Sequence, residues 1–287
     1  VILTRKILIQ LDCDSHPSSF DGVVAVDAGV DFLFQYGGIT PENVEGLVHG
    51  AMFTRGPDEL QHTAIFIGGS DVSTGEAILK KVKKTLFDPL RVSVVLDCNG
   101  CNSTASAAVI CATRHLELAN SRAVVLGATG AVGQRVAQLL VSQGASVSVG
   151  SRDQSRAESL AQKLKTPSVG SQITSFNYSE NSLASALEAS DLVFGCGAAG
   201  VELLSEARLN ATKSIKVAID LNAVPPLGLG GIKVTDKAVQ RDNRIDYGAL
   251  GVGGLKMKIH KAVLRNAFQK RGSIYDAPEM FELSKSL

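Results

Sequence analysis

The seven residues Gly127-Ala-Thr-Gly130-Ala-Val-Gly133 constrain this chain most, because they follow at once on the apolar run Arg122-Ala-Val-Val-Leu126. The segment after them carries apolar residues at 136, 139 and 140, beside Val132, on one face of a helix. A strand that turns on glycine into an amphipathic helix is the opening of a dinucleotide-binding unit. One glycine permits the tight turn, one lets backbone approach a pyrophosphate, and the last lets helix pack closely on strand. The amides and partial positive charge at the helix start then attract phosphate. Gly127, Thr129, Gly130, Ala131, Val132 and Gly133 are therefore candidate cofactor contacts, with Ala128 standing where the commoner pattern has its first glycine.

The next strand selects the cofactor. Ser146-Val-Ser-Val-Gly150 ends in Ser151-Arg152, with Arg156 one helical turn later. A site for NAD normally places Asp or Glu here against the ribose 2′-hydroxyl, a carboxylate that would repel a 2′-phosphate, whereas arginine attracts one. Asp153 lies one position too far and reads as a helix start. Ser151, Arg152 and Arg156 thus favour NADP, with use of NAD left open. Glycine-rich loops at 195–200 and 222–228 follow two further strands and are positioned to line the nicotinamide end.

Around this unit, strand-like runs alternate with helix-length segments. Strands are expected at 6–11, 63–67, 92–96, 123–126, 146–149, 173–176, 192–194 and 217–220. Helices are expected at 41–51, 70–86, 103–118, 255–268 and 278–286. That order implies an α/β fold with mainly parallel sheets. With 287 residues the chain exceeds what one compact core usually needs. We expect two domains: a Rossmann-type NADP-binding domain over 113–255, and a second α/β lobe for substrate over 1–112, rejoined by 256–287. Helices 103–118 and 255–268 would cross between the lobes, with substrate in an interdomain cleft.

Composition narrows the function classes. The 29 Lys plus Arg against 28 Asp plus Glu leave a net charge of +1, so no electrostatic case exists for nucleic acid. No apolar run reaches the roughly 18 residues that suggest a membrane span. The first eleven residues carry their charges inside the apolar stretch and read as a strand rather than a signal peptide. Five scattered cysteines fit reduced thiols in a cytoplasmic protein. Cys98-Asn-Gly-Cys101 has no second ligand pair, so no metal site is expected. The Lys80-Lys-Val-Lys-Lys84 run reads as the wet face of a helix, and His260, one helical turn after Lys256, reads as a helix-surface residue before one that reaches the cleft.

Beyond the glycine turn, Phe20-Asp21, Thr40-Pro-Glu-Asn-Val44, Thr54-Arg-Gly56, Leu96-Asp-Cys-Asn-Gly-Cys-Asn102, Asn222-Ala-Val-Pro-Pro-Leu-Gly228 and Gly248-Ala-Leu-Gly-Val-Gly-Gly-Leu-Lys256 occur in order. Through these motifs the chain resembles the NADP-dependent methylene-tetrahydromethanopterin dehydrogenases, and more distantly the methylene-tetrahydrofolate dehydrogenases. The resemblance implies hydride transfer from the methylene carbon of a reduced pterin to NADP, with neither metal nor flavin, in a homo-oligomer. It implies Asp21, Asn99 and Thr104 as substrate contacts, Lys256 as the catalytic residue, and Ala198 and Asn222 beside the nicotinamide.

Asp21 could compensate the positive charge that forms, although a helix-capping role competes. Lys256 follows four glycines that would let backbone approach a ligand. Ala128 and Ala131 depart from the family's usual Gly-x-Gly-Pro-x-Gly turn. None of the tyrosines 36, 178, 247 and 275 has a lysine four residues later, so the Tyr-x-x-x-Lys pair of the folate enzymes that also hydrolyse the product is missing. The alternatives are a dehydrogenase using NADP with methylene-tetrahydrofolate or a shikimate-like hydroxy acid, and a non-catalytic NADP sensor.

Overall fold

The computed structural model describes residues 4–165 and 172–287, and the chain divides into two compact units. Unit 1 comprises Val1–Ser103 and Met257–Leu287, and unit 2 comprises Thr104–Lys256. Residues 1–3 of the expected first strand lie outside the described residues. The first half runs β1 (Ile7–Asp12), α1 (Ser19–Asp27), β2 (Phe32–Tyr36), α2 (Glu45–Phe53), β3 (Thr63–Gly68), α3 (Val72–Thr85), β4 (Ser93–Leu96) and α4 (Cys101–Thr113). There follow β5 (Arg122–Leu126), α5 (Ala131–Ser142), β6 (Ser146–Ser151), α6 (Gln154–Leu164), β7 (Ile173–Asn177), α7 (Glu180–Glu188), β8 (Leu192–Gly195), α8 (Glu206–Ala211) and β9 (Val217–Asp220). The chain ends with β10 (Val239–Arg241), β11 (Arg244–Tyr247), α9 (Ala249–Asn266), β12 (Ile274–Tyr275) and α10 (Ala277–Ser284). The unit boundaries fall near the start of α4 and within α9.

Unit 1 is built on a parallel sheet ordered β12-β4-β3-β1-β2. Its central strands β1, β3 and β4 are nearly all buried, which is why they read as continuous apolar runs rather than alternating ones. Leu11, Ile65, Ile67 and Leu96 pack with Val48 and Met52 of α2 and with Ile78 and Val82 of α3. Asp71 caps α3 by accepting from the amides of Ser73 and Thr74. Lys80, Lys83 and Lys84 lie exposed, as the charge run implied, while Lys81 pairs with Glu45.

Unit 2 has the order β10-β11-β9-β8-β5-β6-β7, parallel except for β10. From β7 to β11 this is the doubly wound order in which the chain reverses direction across the sheet between β5 and β8. A crevice therefore opens outside the carboxyl ends of those two strands. Val136, Ala137, Leu139 and Leu140 are the buried side of α5, and a core of Val124, Leu126, Leu187, Val193, Leu209 and Ala218 lies across the sheet.

Several elements depart from expectation. Strand β2 sits on the sheet edge with four of its five residues exposed, so it lacks the alternation that marks a half-buried strand. The β10–β11 hairpin reads as a polar loop because its charges satisfy one another. Arg241 reaches Asp236 at 2.8 Å and Asp246 at 2.9 Å, and Arg244 reaches Asp246 at 2.6 Å. Helix α4 ends at Thr113, whose hydroxyl donates back to Ile110, rather than continuing to 118.

Helix α9 starts at Ala249, so most of the glycine-rich stretch is helix rather than loop. Its glycines do not all approach a ligand. A Cβ on Gly248 would lie 2.0 Å from the Lys233 carbonyl oxygen, and one on Gly251 would lie 1.8 Å from that of Asp236. These two residues let α9 rest directly on the 233–236 backbone, whereas Gly253 and Gly254 face open space. Opposite effects on stability follow. Gly251→Ala should lower stability by about 2 kcal/mol or more through overpacking. Gly253→Ala should raise it by about 0.5–1 kcal/mol through helix propensity. Urea unfolding of the two variants checks the pair of signs.

Candidate active site

The carboxyl ends of β5, β6 and β8 enclose a cleft of about 300 Å³ in unit 2. Of the sequence-predicted cofactor contacts, Gly127, Thr129, Gly130, Ser151, Arg152, Arg156 and Ala198 line it. The turn begins at Gly127, whose φ of +70° lies in the region that favours glycine. A Cβ there would meet the Cys196 and Gly197 backbone at 2.7 Å, so the turn lies directly against the end of β8. A Cβ on Gly133 would stand 2.5 Å from the Gly127 carbonyl oxygen, which accounts for the close packing of α5 on β5. Ala128 is fully buried and its methyl group is accommodated, so that departure from the commoner glycine pattern leaves the turn intact.

Gly130 is the N-cap of α5 and supplies no side chain to the helix. Ala131, Val132 and Gly133 follow as its first turn, where amides have no acceptor within the helix. An uncapped start on a 12-residue helix, placed at the strand reversal, is suited to an anion. The turn is held by Gly130 N–H to Gly127 O at 3.1 Å and by the Gln134 side-chain amide to Thr129 O at 3.0 Å. The Thr129 and Ser151 hydroxyls lie 3.3 Å apart and link the turn to the end of β6.

At that end Asp153 caps α6, accepting from the Arg156 amide at 3.2 Å and from the Ser155 hydroxyl at 2.7 Å. These bonds, the hydroxyl first, hold its carboxyl below the usual range. Arg152 and Arg156 are exposed at the cleft, and among the described residues neither side chain forms a hydrogen bond or ion pair. The donor set (free helix amides and two unengaged guanidiniums, with the nearest carboxylate occupied) fits a dinucleotide carrying a 2′-phosphate.

Sequence reasoning missed Asp153, Tyr178, Val201 and Leu203 as lining residues, while Cys196 and Gly197 belong to the 195–200 loop expected here. Tyr178 organises the site. Its hydroxyl donates to Gly150 O at 3.0 Å and accepts from the Gly127 amide, so one side chain bridges β6 and the phosphate turn. Gly150 is glycine because a Cβ would strike the rings of Phe176 and Tyr178 at 2.5 and 2.7 Å. Burial pushes the Tyr178 phenol up to about 12. An apolar-then-tyrosine end to the third strand was the available signal, but it becomes meaningful only with the sheet order known.

Asn222 does not line the cleft. Its side-chain amide donates to Pro226 O at 3.2 Å and accepts from Val224 N at 3.0 Å, which fixes its own loop. Buried Asp220 holds the same loop through the amides of Asn222 and Leu229, and its burial raises its carboxyl.

In unit 1, Ser18 rather than Asp21 caps α1, accepting from the Asp21 amide at 3.2 Å. The Asp21 carboxylate instead lies 3.9 Å from His260. His260 is 1% exposed, which corrects its reading as a helix-surface residue. Asn99 has a left-handed backbone (φ 51°) and an exposed side chain, with its amide bonded to Gly69 O at 2.8 Å. In unit 2, Thr104 on α4 and Lys256 on α9 are half-buried, while Lys258 is exposed.

Tyr178→Phe tests the bridge. It should raise KM for NADP several-fold and destabilise the protein by about 1 kcal/mol, the net worth of a buried hydrogen bond. It should also flatten part of the alkaline stability loss. The folded phenol keeps its proton to about pH 12, while the unfolded one loses it near pH 10. The unfolded state therefore binds fewer protons between those values, and stability falls as pH rises through that window. Urea titrations at pH 9 to 11 on both proteins measure the difference.

A family model described as methylene-tetrahydromethanopterin dehydrogenase, N-terminal, matches residues 19–99. A second, described as shikimate/quinate 5-dehydrogenase, matches residues 110–227. The chain is 40% identical over 287 residues to "Bifunctional protein MdtA" of Methylorubrum extorquens, covering 99% of this chain and 100% of that protein. It is 29% identical over 277 residues to the NAD(P)-dependent methylenetetrahydromethanopterin dehydrogenase of the same organism, covering 93% of each. A shikimate 5-dehydrogenase from Mycobacterium fortuitum shares the fold at a TM-score of 0.54 and 14% identity, over 99% of both chains. The chain belongs to the family of NAD(P)-dependent methylene-tetrahydromethanopterin dehydrogenases.

Proposed function

We propose that this protein oxidises methylene-tetrahydromethanopterin to methenyl-tetrahydromethanopterin with NADP, as a cytoplasmic homo-oligomeric enzyme of one-carbon metabolism. The observation that carries the reading is the cleft at the β5–β8 reversal, with its uncapped helix start and two unengaged arginines, in a chain of this family. Among the described residues no helix is long and apolar enough to cross a membrane.

NADP, when bound, supplies the acceptor for the hydride that leaves the methylene carbon. The chain supplies position and charge. The amides of Ala131, Val132 and Gly133 hold the pyrophosphate, and Gly130 lets it approach the turn. Arg152 and Arg156 bind the 2′-phosphate, and Thr129 and Ser151 shape the wall between the two phosphate sites. The same amides serve NAD, which lacks the 2′-phosphate and so binds with less help from the arginines. Ala198, with no bulky side chain, leaves room for the nicotinamide end.

Loss of hydride leaves a cation that the substrate's own nitrogens stabilise, so no general base is required. Asp21 compensates the developing positive charge. Lys256 binds the pterin and disfavours protonation of its nitrogens, since an ammonium nearby opposes a second positive charge. Asn99 and Thr104 complete the substrate contacts. Geometry is the main requirement, because donor and acceptor carbons must be held at near-attack distance.

Steady-state assays following NADPH test the reading. Turnover is expected with methylene-tetrahydromethanopterin; NADPH formation only with methylene-tetrahydrofolate or shikimate, or with no substrate, would overturn it. Arg152→Asp should lower kcat/KM for NADP by about 100-fold, because it removes a charge-assisted contact and sets a carboxylate against the 2′-phosphate, and change that for NAD far less. Equal losses for the two cofactors would remove Arg152 from the 2′-phosphate. Lys256→Ala should lower kcat while the Kd for NADP, read by fluorescence titration, stays unchanged.

A further inference from the structure

Unit 1 places two buried carboxylates at the ends of β1 and β4 and a third in the first turn of α1, and one histidine lies between two of them. Asp12 closes β1 and Asp97 follows β4, and each is 0–1% exposed. Backbone amides pin both. Asp12 accepts from Asp14 and Ser18 at 3.0 Å each, and the Asp97 Oδ1 accepts from Asn102 at 3.0 Å and Ser103 at 3.1 Å. Asp21, on α1, retains some access to solvent, with 14% of its side chain exposed.

His260 of α9 stands between the fixed carboxylate and the accessible one. Its Nδ1 lies 3.9 Å from Asp97 Oδ2, and its Nε2 lies 3.9 Å from Asp21 Oδ1. Those separations are longer than hydrogen bonds, and at each ring nitrogen the imidazole faces a carboxylate oxygen. Its plane is set by Phe66, stacked at 5.6 Å and 13°, with Phe20 tilted against it at 6.5 Å. Asp12 belongs to the same group, because the space beside the Gly68 Cα is bounded by Asp12 Oδ2 at 3.4 Å and Asp21 Oδ2 at 3.6 Å. Backbone amides hold Asp12 and Asp97, and aromatic packing holds the His260 ring.

We propose that His260 is a positioning residue for substrate binding. Anchored on Asp97 and clamped by Phe66, it fixes the direction in which Asp21 presents its carboxylate to the reduced pterin, and this rests on the reading of Asp21 as a pterin contact. The proposed hydride transfer needs no acid or base, which leaves orientation as the use of an imidazole placed here. Without the ring, the space between the Asp21 and Asp97 carboxylates would no longer be filled, and Asp21 would turn away from a productive pose.

The test compares the full chain with His260→Gln, Asp97→Asn, Asp21→Asn and the Asp21→Asn/His260→Gln double variant, using pterin kinetics and NMR of histidine rings on the same samples. The ring signal lost in His260→Gln identifies His260. His260→Gln is expected to raise KM for the pterin about tenfold, the scale of one charge-assisted contact, and to leave KM for NADP unchanged. Asp97→Asn, the variant to rely on if His260→Gln does not fold, should act in the same direction. The double variant should be no worse than Asp21→Asn alone, and the His260 signal should shift in both Asp21→Asn and Asp97→Asn.

Equal changes in the two KM values, multiplicative effects in the double variant, or an unmoved His260 signal in folded Asp21→Asn would overturn the inference. A wild-type chain that does not turn over the pterin would overturn the proposed function instead. The ring signal then decides the inference alone: a shift in Asp21→Asn upholds the coupling, and an unmoved signal ends it.

Discussion

Backbone must touch backbone at the carboxyl ends of β5, β6 and β8, and the candidate cofactor cleft depends on that contact. Gly127 lies against the end of β8, Gly133 against Gly127 itself, and Gly150 beneath two aromatic rings. A Cβ at any of the three would wedge strand from turn. Tyr178 then ties the assembly by bridging the Gly127 amide and the Gly150 carbonyl. With the turn drawn this tightly onto the sheet, α5 begins at the strand reversal, and its N-cap Gly130 lines the cleft. The anion site is a consequence of close packing, and no cationic side chain is needed to form it.

The two units offer opposite electrostatics at their strand ends. Unit 2 presents free amides and two guanidiniums, while the cleft's nearby acid, Asp153, is engaged as a helix cap. Unit 1 presents Asp12, Asp97 and Asp21 around His260. A dinucleotide phosphate calls for the first arrangement, and a substrate that becomes cationic calls for the second. The division of labour we propose rests on where each sheet ends its strands, since ligands of a parallel sheet bind outside its carboxyl ends.

What was legible in the sequence was whatever is local. Residues 122–156 form strand, turn, helix and strand in succession, so spacing alone placed Gly127, Thr129, Gly130, Ser151, Arg152 and Arg156 together. Tyr178 reaches the same cleft from a distant segment, and only the strand order brings it there, whereas the loop carrying Cys196 was marked by its glycines. The glycines at 248 and 251 looked like ligand contacts because a requirement for no side chain does not say what takes its place; here it is the backbone at 233–236. Asn222 misled for a related reason, since a loop at a strand end can use its amide to hold itself. His260 was hidden by its pairing: a polar residue on a helix reads as exposed unless the carboxylates and aromatic ring that bury it are known.

The position of one acid separates NADP from NAD in this fold. Asp153 stands a single residue beyond the place where a ribose-binding carboxylate would sit, and that step changes its partners entirely. From there its oxygens reach the first turn of α6, accepting from Arg156 and Ser155. The cap does two things at once. It withdraws the negative charge from the cleft, and it starts α6 where Arg156 emerges beside Arg152 on the cleft wall. Shifting the acid back by one residue would reverse both, placing a carboxylate in the cleft and leaving the helix start uncapped. In the proposed site, cofactor preference is therefore coupled to helix capping, and the two arginines can act as a pair because the acid before the second is already satisfied.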